Sequence, residues 1–303
     1  MASIEVIINA GGGSFVENET EQLLIDQFAA NGLRANIRLA RSGDQISEFA
    51  NAAVGGDATL IIAGGGDGTI SSVAGIVSTS GKTFGVLPLG TFNNFSKDLN
   101  IPQDIAGAVR VIAEGHTAVI DLAEVNGRIF INNSSIGLYP RIVRKREQQQ
   151  QRLGRSKWSA AIWAALRMFR VSPFLKVEIL VNGRLFLRKT PFVFVGNNEY
   201  EMDLFNIGRR RALDKGKLSV YFIHRGGRLG AFVLLFRTIT GTIKQWRDFE
   251  QVLTESVMIQ TRRKRLDVAF DGEVSLVDTP LRYRILPQAL RLIVPAAKTK
   301  TDA

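Results

Sequence analysis

The sequence predicts two domains: an open, doubly wound α/β sheet, then a mainly antiparallel β domain of the sandwich type. Three observations carry this. Up to about residue 120, short β-branched apolar runs alternate with helix-length segments. After Asp121 the chain turns to alternating runs with Asn126-Gly127 and Asn182-Gly183 between them, each a strong hairpin signal. A length of 303 residues also exceeds what one hydrophobic core usually holds. The boundary falls near residue 124, so 1–124 is the α/β domain and 125–289 the β domain. The final run, Leu290 to Pro295 within 290–303, is free to return to either.

In chain order, Ile4 to Ile8 is a continuous apolar run of the kind buried on both faces of a parallel sheet, ending at Asn9. Glu17 to Ala30 carries Leu23, Leu24 and Phe28 on one helical face, and Gly32 is placed to stop it. A second strand, Asn36 to Ala40, leads into a helix over Asp44 to Val54. Thr59 to Ala63 is the third strand and Ile70 to Ser78 a helix. Thr83 to Leu87 is the fourth strand, Pro88 to Asn94 its loop, and Asp104 to Glu114 a further helix. In the second half, Pro191 to Gly196, Lys217 to Ile223, Leu266 to Phe270 and Arg282 to Leu286 read as strands.

Between the third strand and its helix stands Gly64-Gly65-Gly66-Asp67-Gly68-Thr69. Glycines let a backbone approach a ligand with no Cβ in the way, and exposed N–H groups at the positive end of a helix suit phosphate. Asp67 is the odd residue. Beside a triphosphate a carboxylate repels unless a cation or a fixed hydrogen bond intervenes, so it is a candidate for magnesium or for anchoring the loop. The plainer reading is a glycine turn whose Asp caps a helix. In doubly wound sheets ligands bind beyond the carboxyl ends of the strands, where Asn9, the Gly64 loop and the Gly90 loop converge.

Composition narrows the chemistry. Hydrophobic content of 45% with 22% charged residues is that of a globular protein, and a net charge of +11 points to an acidic partner: nucleotide, nucleic acid or anionic lipid surface. With no cysteine, disulfides, thiolate metal sites and cysteine catalysis are excluded. The two histidines, His116 and His224, lack metal-ligand spacing. The N-terminal MASIEVIINA reads as a buried strand rather than a leader, and no apolar run reaches the roughly 18 residues of a spanning helix, so a cytoplasmic protein meeting a membrane from one side is expected. Two segments interrupt the β half. Arg141 to Arg155 is basic and glutamine-rich; behind it Trp158, Ile162, Ala165, Leu166 and Phe169 share a helical face. Leu229 to Phe236 is apolar between arginines. Such stripes serve a core or an interfacial helix.

Four motifs in order resemble the bacterial diacylglycerol kinase-like lipid kinases, relatives of the sphingosine and ceramide kinases. They are Gly65-Gly66-Asp67-Gly68-Thr69; Pro88 to Phe95 closing at Ile101-Pro102; Leu213 to Val220; and Asp271-Gly272-Glu273 followed by Leu286-Pro287. The glycine motif alone is shared with NAD kinases and phosphofructokinases; the four together run nearly end to end. The resemblance implies an NAD kinase/diacylglycerol kinase-like nucleotide domain and a β-rich domain, with ATP and the lipid between them. Gly64, Gly65, Gly66, Asp67, Gly68, Thr69, Thr91 and Asn93 would form the ATP site, and Asn9 matches the asparagine of the N-terminal motif, with Ala10 where proline is usual. Asp271 falls on the family's catalytic base and Glu273 on its neighbour. From the residues themselves, Asp271 is a carboxylate rigidly aimed at a tight turn between strands, or simply an Asp-Gly hairpin. Ala40 replaces a frequent threonine, Ser71-Ser72 the usual Asn-Glu, Asn94 a common aspartate, and Lys215 the aspartate that holds a structural magnesium in some members.

The expected function is ATP-dependent transfer of the γ-phosphoryl group to a hydroxyl of a membrane lipid such as diacylglycerol, with magnesium accompanying the nucleotide and an anionic membrane as partner. No protein-held metal is expected: Lys215 is placed to take the cation's role by pairing with Asp67 or Asp214. A soluble-substrate kinase of the NAD kinase type would need a paired Asn-Glu signature for which Asn198-Glu199 is only a lone dipeptide. A non-catalytic membrane adaptor would have little reason to retain both Asp67 and Asp271. A nucleic-acid binder has only charge in its favour, with no reading motif.

Overall fold

The computed structural model describes residues 3–11, 17–137, 140, 174–203, 206–210, 212–223 and 249–296. The basic run Arg141 to Arg155, the Trp158 to Phe169 stripe, Leu229 to Phe236 and His224 lie outside the described residues. Two units make up the chain. The first takes residues up to Leu122, Arg128–Ile131 and the chain from Leu286 on; the second takes Ala123–Gly127 and Asn132–Ile285. No helix among the described residues is long and apolar enough to cross a membrane.

In chain order the first unit begins β1 (Ile4–Asn9), α1 (Glu17–Ala30), β2 (Ala35–Ala40), α2 (Gly43–Gly55), β3 (Leu60–Gly65), α3 (Asp67–Val77) and β4 (Thr83–Pro88). It continues with α4 (Asn94–Asp98), α5 (Ile105–Glu114), β5 (Thr117–Val125), whose residues from Ala123 on belong to the second unit, and β6 (Arg128–Phe130). Strands β2-β1-β3-β4 lie side by side in that order, all parallel. Val6, Ile7 and Ile8 have no exposed surface, nor have Ile61, Ile62 and Ala63, which is why both runs are apolar without alternation. The chain leaves β1 toward β2, then crosses back past β1 to reach β3. Right-handed crossovers therefore put α1 on one face and α2 and α3 on the other, and α1 packs with α5 while α2 packs with α3.

Local signals set the ends of these helices. Ser42 Oγ accepts from Gln45 N at 3.2 Å at the start of α2, Asp104 Oδ1 accepts from Gly107 N at 2.8 Å at the start of α5, and Gly115 takes the left-handed conformation that ends it. Helix α3 starts at Asp67, three residues before the sequence pattern suggests, because glycine-rich backbone enters the helix directly from Gly66. The short α4 carries no periodicity and is visible only in the structure.

The second unit comprises β7 (Asn133–Gly137), β8 (Leu175–Val181), β9 (Arg184–Thr190), β10 (Phe192–Asn197), β11 (Tyr200–Asp203), β12 (Asn206–Arg210), β13 (Leu218–Ile223), β14 (Phe249–Thr254), β15 (Ser256–Thr261), β16 (Arg265–Phe270) and β17 (Glu273–Asp278). It also holds the start of β18 (Leu281–Ile293), whose later residues belong to the first unit, where Leu292 pairs in parallel with Phe84. Arg282 to Leu286 and Leu290 to Pro295, read apart in the sequence, are thus largely one strand. Strands β14-β13-β10-β7-β16-β17 form one antiparallel sheet, and β9, β8, β15 and the first residues of β18 another.

Alternation assigns the inner faces of this sandwich. Ile136, Val193, Val195, Val220, Phe222, Val268 and Phe270 come from the first sheet; Val177, Ile179, Val181, Val257, Ile259, Leu281 and Tyr283 from the second, all buried. The Phe186 and Phe222 rings, 5.7 Å apart, bridge the two. One polar pair sits in this core, Ser134 Oγ and Tyr283 OH at 3.2 Å, and burial pushes the Tyr283 hydroxyl well above its ordinary pKa. Replacing Tyr283 by Phe leaves the fully buried Ser134 hydroxyl without this partner, so Tyr283→Phe is expected to lower stability by about 1–2 kcal/mol, read by urea denaturation. An unchanged midpoint would show that the pair contributes nothing.

Candidate active site

The strand order reverses between β1 and β3, since the chain departs from β1 to opposite sides, and at such a point the carboxyl ends leave a crevice. Asn9 ends β1 there, with Ile8 in register with Gly64. Its amide spans the crevice: Nδ2 donates to Thr69 Oγ1 at 2.9 Å, and Oδ1 accepts from Gly11 N at 3.0 Å. Thr69 is itself buried and packs beneath Gly65, where a Cβ would stand 2.9 Å from the threonine Cβ. Gly66 is the N-cap of α3, with no side chain to accept from the first turn. Backbone N–H groups and the positive end of an eleven-residue helix are thereby presented at the strand ends.

A second loop, from Pro88 to Asn93, lies against this one. A Cβ on Gly90 would collide with Gly66 Cα and stand 2.9 Å from Gly66 N, so the two backbones touch as only glycine allows. Asn93, left-handed at φ 51°, fastens the second loop from inside: Oδ1 accepts from Gly90 N at 3.0 Å, and Nδ2 donates to Pro88 O at 3.1 Å and Gly90 O at 2.8 Å. Its amide thus acts on its own loop, shaping the site, while Thr91 stands exposed at the tip. Asp67 joins the loops. Its Oδ1 accepts from Phe95 N at 3.0 Å, and its Oδ2 from Asn94 N at 3.0 Å and Asn94 Nδ2 at 3.3 Å. Of the roles the sequence left open for Asp67, anchoring is the one these bonds describe.

Asp271 and Glu273 belong to the second unit. Asp271 (φ 47°) and Gly272 (φ 93°) form the two-residue turn between β16 and β17, with Phe270 opposite Glu273. Asp271 Oδ1 accepts from the backbone N–H of Asn132 at 2.8 Å and of Asn133 at 3.0 Å, and Asp271 N donates to Asn133 O at 3.0 Å. Glu273 is exposed beside it. Arg210, buried, donates to Asn132 Oδ1 at 2.9 Å and Asn197 O at 3.4 Å, so a guanidinium steadies the segment whose amides hold Asp271.

Comparison with known proteins identifies the family. The diacylglycerol kinase catalytic domain model matches residues 3–125, and the YegS C-terminal NAD kinase beta sandwich-like domain model matches residues 133–294. The chain belongs to the diacylglycerol kinase-like lipid kinase family. A diacylglycerol kinase of Staphylococcus aureus (strain MRSA252) is 39% identical over 126 residues, which cover 37% of this chain and 40% of that protein. This chain therefore matches well under two thirds of that relative's length. An uncharacterized protein of Synechocystis sp. is 27% identical over 243 residues, covering 78% of this chain and 55% of its own. The crystal structure of a diacylglycerol kinase from Bacillus anthracis str. Sterne shares the fold at TM-score 0.74, with 24% identity and 98% of both chains covered.

Against the family pattern, the departures acquire local explanations. Ala40 is fully buried at the end of β2, its O accepting from Ala10 N at 2.8 Å, so no hydroxyl is offered there. Lys215 Nζ lies 3.2 Å from Asp214 Oδ1, one of the two partners its sequence position suggests, in a pair more than half exposed. Asn198, part of the lone Asn-Glu dipeptide, is a buried residue at φ 66° bridged to Leu218, and its Oδ1 accepts from Lys215 N. Three residues escaped the sequence reading. Arg210 sits in the basic run Arg209-Arg210-Arg211, which reads as a solvated face, and the backbone roles of Asn132 and Asn133 leave only the weak trace of an Asn-Asn pair.

Asn94 has the clearest consequence. Its amide donates to Asp67, whereas an aspartate there would set two carboxylates about 3 Å apart, an arrangement that calls for a cation. Asn94→Asp is expected to lower thermal stability in chelator by several degrees, with partial recovery in millimolar magnesium, while the parent melts alike in both. A variant as stable as its parent in chelator would show that this bond does not organise the loops.

Proposed function

We propose that this chain transfers the γ-phosphoryl group of ATP to a hydroxyl of a membrane lipid such as diacylglycerol, at an anionic membrane surface. The observation that carries the reading is the family's paired equipment in one chain: a glycine cradle at a helix N-terminus in the first unit, and in the second a carboxylate aimed by two backbone amides.

The cradle fits a polyphosphate, because Gly66 caps α3 with no side chain in the way and Gly90 lies against it where a Cβ of its own would collide. Gly65, Gly66, Gly68 and Thr69 would receive the phosphates through backbone N–H groups, with Asn9 holding Thr69 in place. When bound, ATP supplies the phosphoryl group, and magnesium held on its phosphates neutralises charge as that group moves. Asp271 would accept the proton of the attacking lipid hydroxyl. Its turn conformation and the bonds from Asn132 and Asn133 keep its carboxylate from rotating, which is what a general base requires.

Incubation with γ-labelled ATP, magnesium and a total lipid extract should yield a labelled phospholipid, identified by chromatography. Label appearing only in soluble acceptors would overturn the lipid assignment. Asp271→Asn is nearly isosteric, asparagine is at home in this turn conformation, and its carbonyl can still accept from both amides. It should therefore melt like the parent and bind ATP equally well, while turnover falls by about 10² to 10⁴. Turnover within a few-fold of the parent removes Asp271 from the mechanism.

A further inference from the structure

In the second unit, the sheet of β9, β8 and β15 turns one face to the sandwich core, and the opposite face carries leucine where polar residues would suffice. Leu180 is 39% exposed, Leu185 58% and Leu187 65%. Strand register sets them side by side. Leu185 lies opposite Leu180, Leu180 opposite Met258, and Met258 opposite Arg282, while Leu187 lies opposite Glu178 in the next row. Directly paired residues stand about 5 Å apart on a common face, so the four apolar side chains form one patch. Basic groups rim it. Lys176 opposite Lys189 makes the row beyond Leu187, Arg282 closes the first row, and Arg284 follows two residues on. Against these four stand Glu178 and Glu124, the latter 2.6 Å from Arg284.

We propose that this face docks on an anionic membrane, Leu180, Leu185 and Leu187 entering the headgroup boundary while Lys176, Lys189 and Arg282 meet lipid phosphates. The choice of a membrane as occupant rests on the lipid-kinase reading. Charge supports it independently: a face with four basic groups and two acidic ones, on a chain of net charge +11, complements an anionic surface. A second copy of the chain fits poorly, because two like faces would set their basic rims against one another. Three partly exposed leucines and a methionine also fall well short of the about 800 Å² per partner that stable dimers bury. Position suits docking as well, since β9 is the outermost strand of its sheet.

The test is sedimentation of the full chain with vesicles of phosphatidylcholine alone or with about one third phosphatidylglycerol. The parent should bind the anionic vesicles and not the neutral ones. Leu185→Thr with Leu187→Thr keeps strand propensity and should weaken that binding about tenfold or more, with unchanged circular dichroism. Lys176→Gln with Lys189→Gln should weaken it too. Parental binding by either double variant overturns the proposal, as does a parent that ignores both vesicles. A concentration-dependent dimer that the threonine variant loses while still binding vesicles would also overturn it, in favour of self-association. Phosphorylation of a short-chain diacylglycerol dispersed in detergent is scored separately. If neither parent nor variant phosphorylates it, the kinase substrate is wrong, while the vesicle result still decides the docking face.

Discussion

The paired glycine loops of the first unit depend on one buried carboxylate. Asp67 opens α3 and receives the first amides of α4, so the start of one helix is clasped to the start of another across the glycine loops. Beside that clasp the Gly66 and Gly90 backbones lie in contact. The same bonds answer an electrostatic difficulty. A bare carboxylate at a phosphate cradle repels the ligand, but three N–H donors surround this one, and its charge is spent on them. Position in the first turn of α3 also favours a negative charge. Thus the one charged residue of the glycine loop shapes it from within.

Asp271 shows that a structural reading and a functional one are compatible in a single residue. The turn requires positive φ at two successive positions, which Asp-Gly satisfies, and that alone accounts for the pair. Yet a hairpin aspartate has no need of two further amides from another strand. Asn132 and Asn133 supply them, and Arg210 braces Asn132. Effort of this kind is expected where a side chain must keep one direction, and it is the ground for assigning Asp271 chemistry rather than geometry alone.

How much of this was legible in the sequence followed from how local the cause was. Strands β1 and β3 announced themselves because burial on both faces leaves an unbroken apolar run, and Asn126-Gly127, Asn182-Gly183 and Asp271-Gly272 because a two-residue hairpin demands that chemistry. Strands β7, β14 and β15 were missed: Asn133 to Gly137 is polar and small, and its place at the middle of a sheet comes from partners far off in sequence. Around the loops, the close approach of the glycines could be read in advance, since it needs only the lack of a side chain. The inward work of Asn93 could not, because its three bonds exist only once the loop has closed. Arg210 looked like part of a solvated basic run and is buried.

The replaced aspartates are also easier to weigh in three dimensions than as letters. Asn94 and Lys215 both exchange negative charge for something less so, and each suggests that a cation has been dispensed with. Their weights differ. Lys215 meets Asp214 at 3.2 Å in a pair more than half open to solvent, where water screens the attraction and such bridges contribute from nothing to about 1 kcal/mol. Asn94 donates to a carboxylate that is almost wholly buried, where an unmet charge is costly and a correctly placed N–H effective. The loops are therefore joined through the amide of Asn94 with its own backbone N–H and that of Phe95, rather than through the ammonium. An amide cannot be released by a chelator, so the contact between these two loops rests on groups that the chain itself supplies.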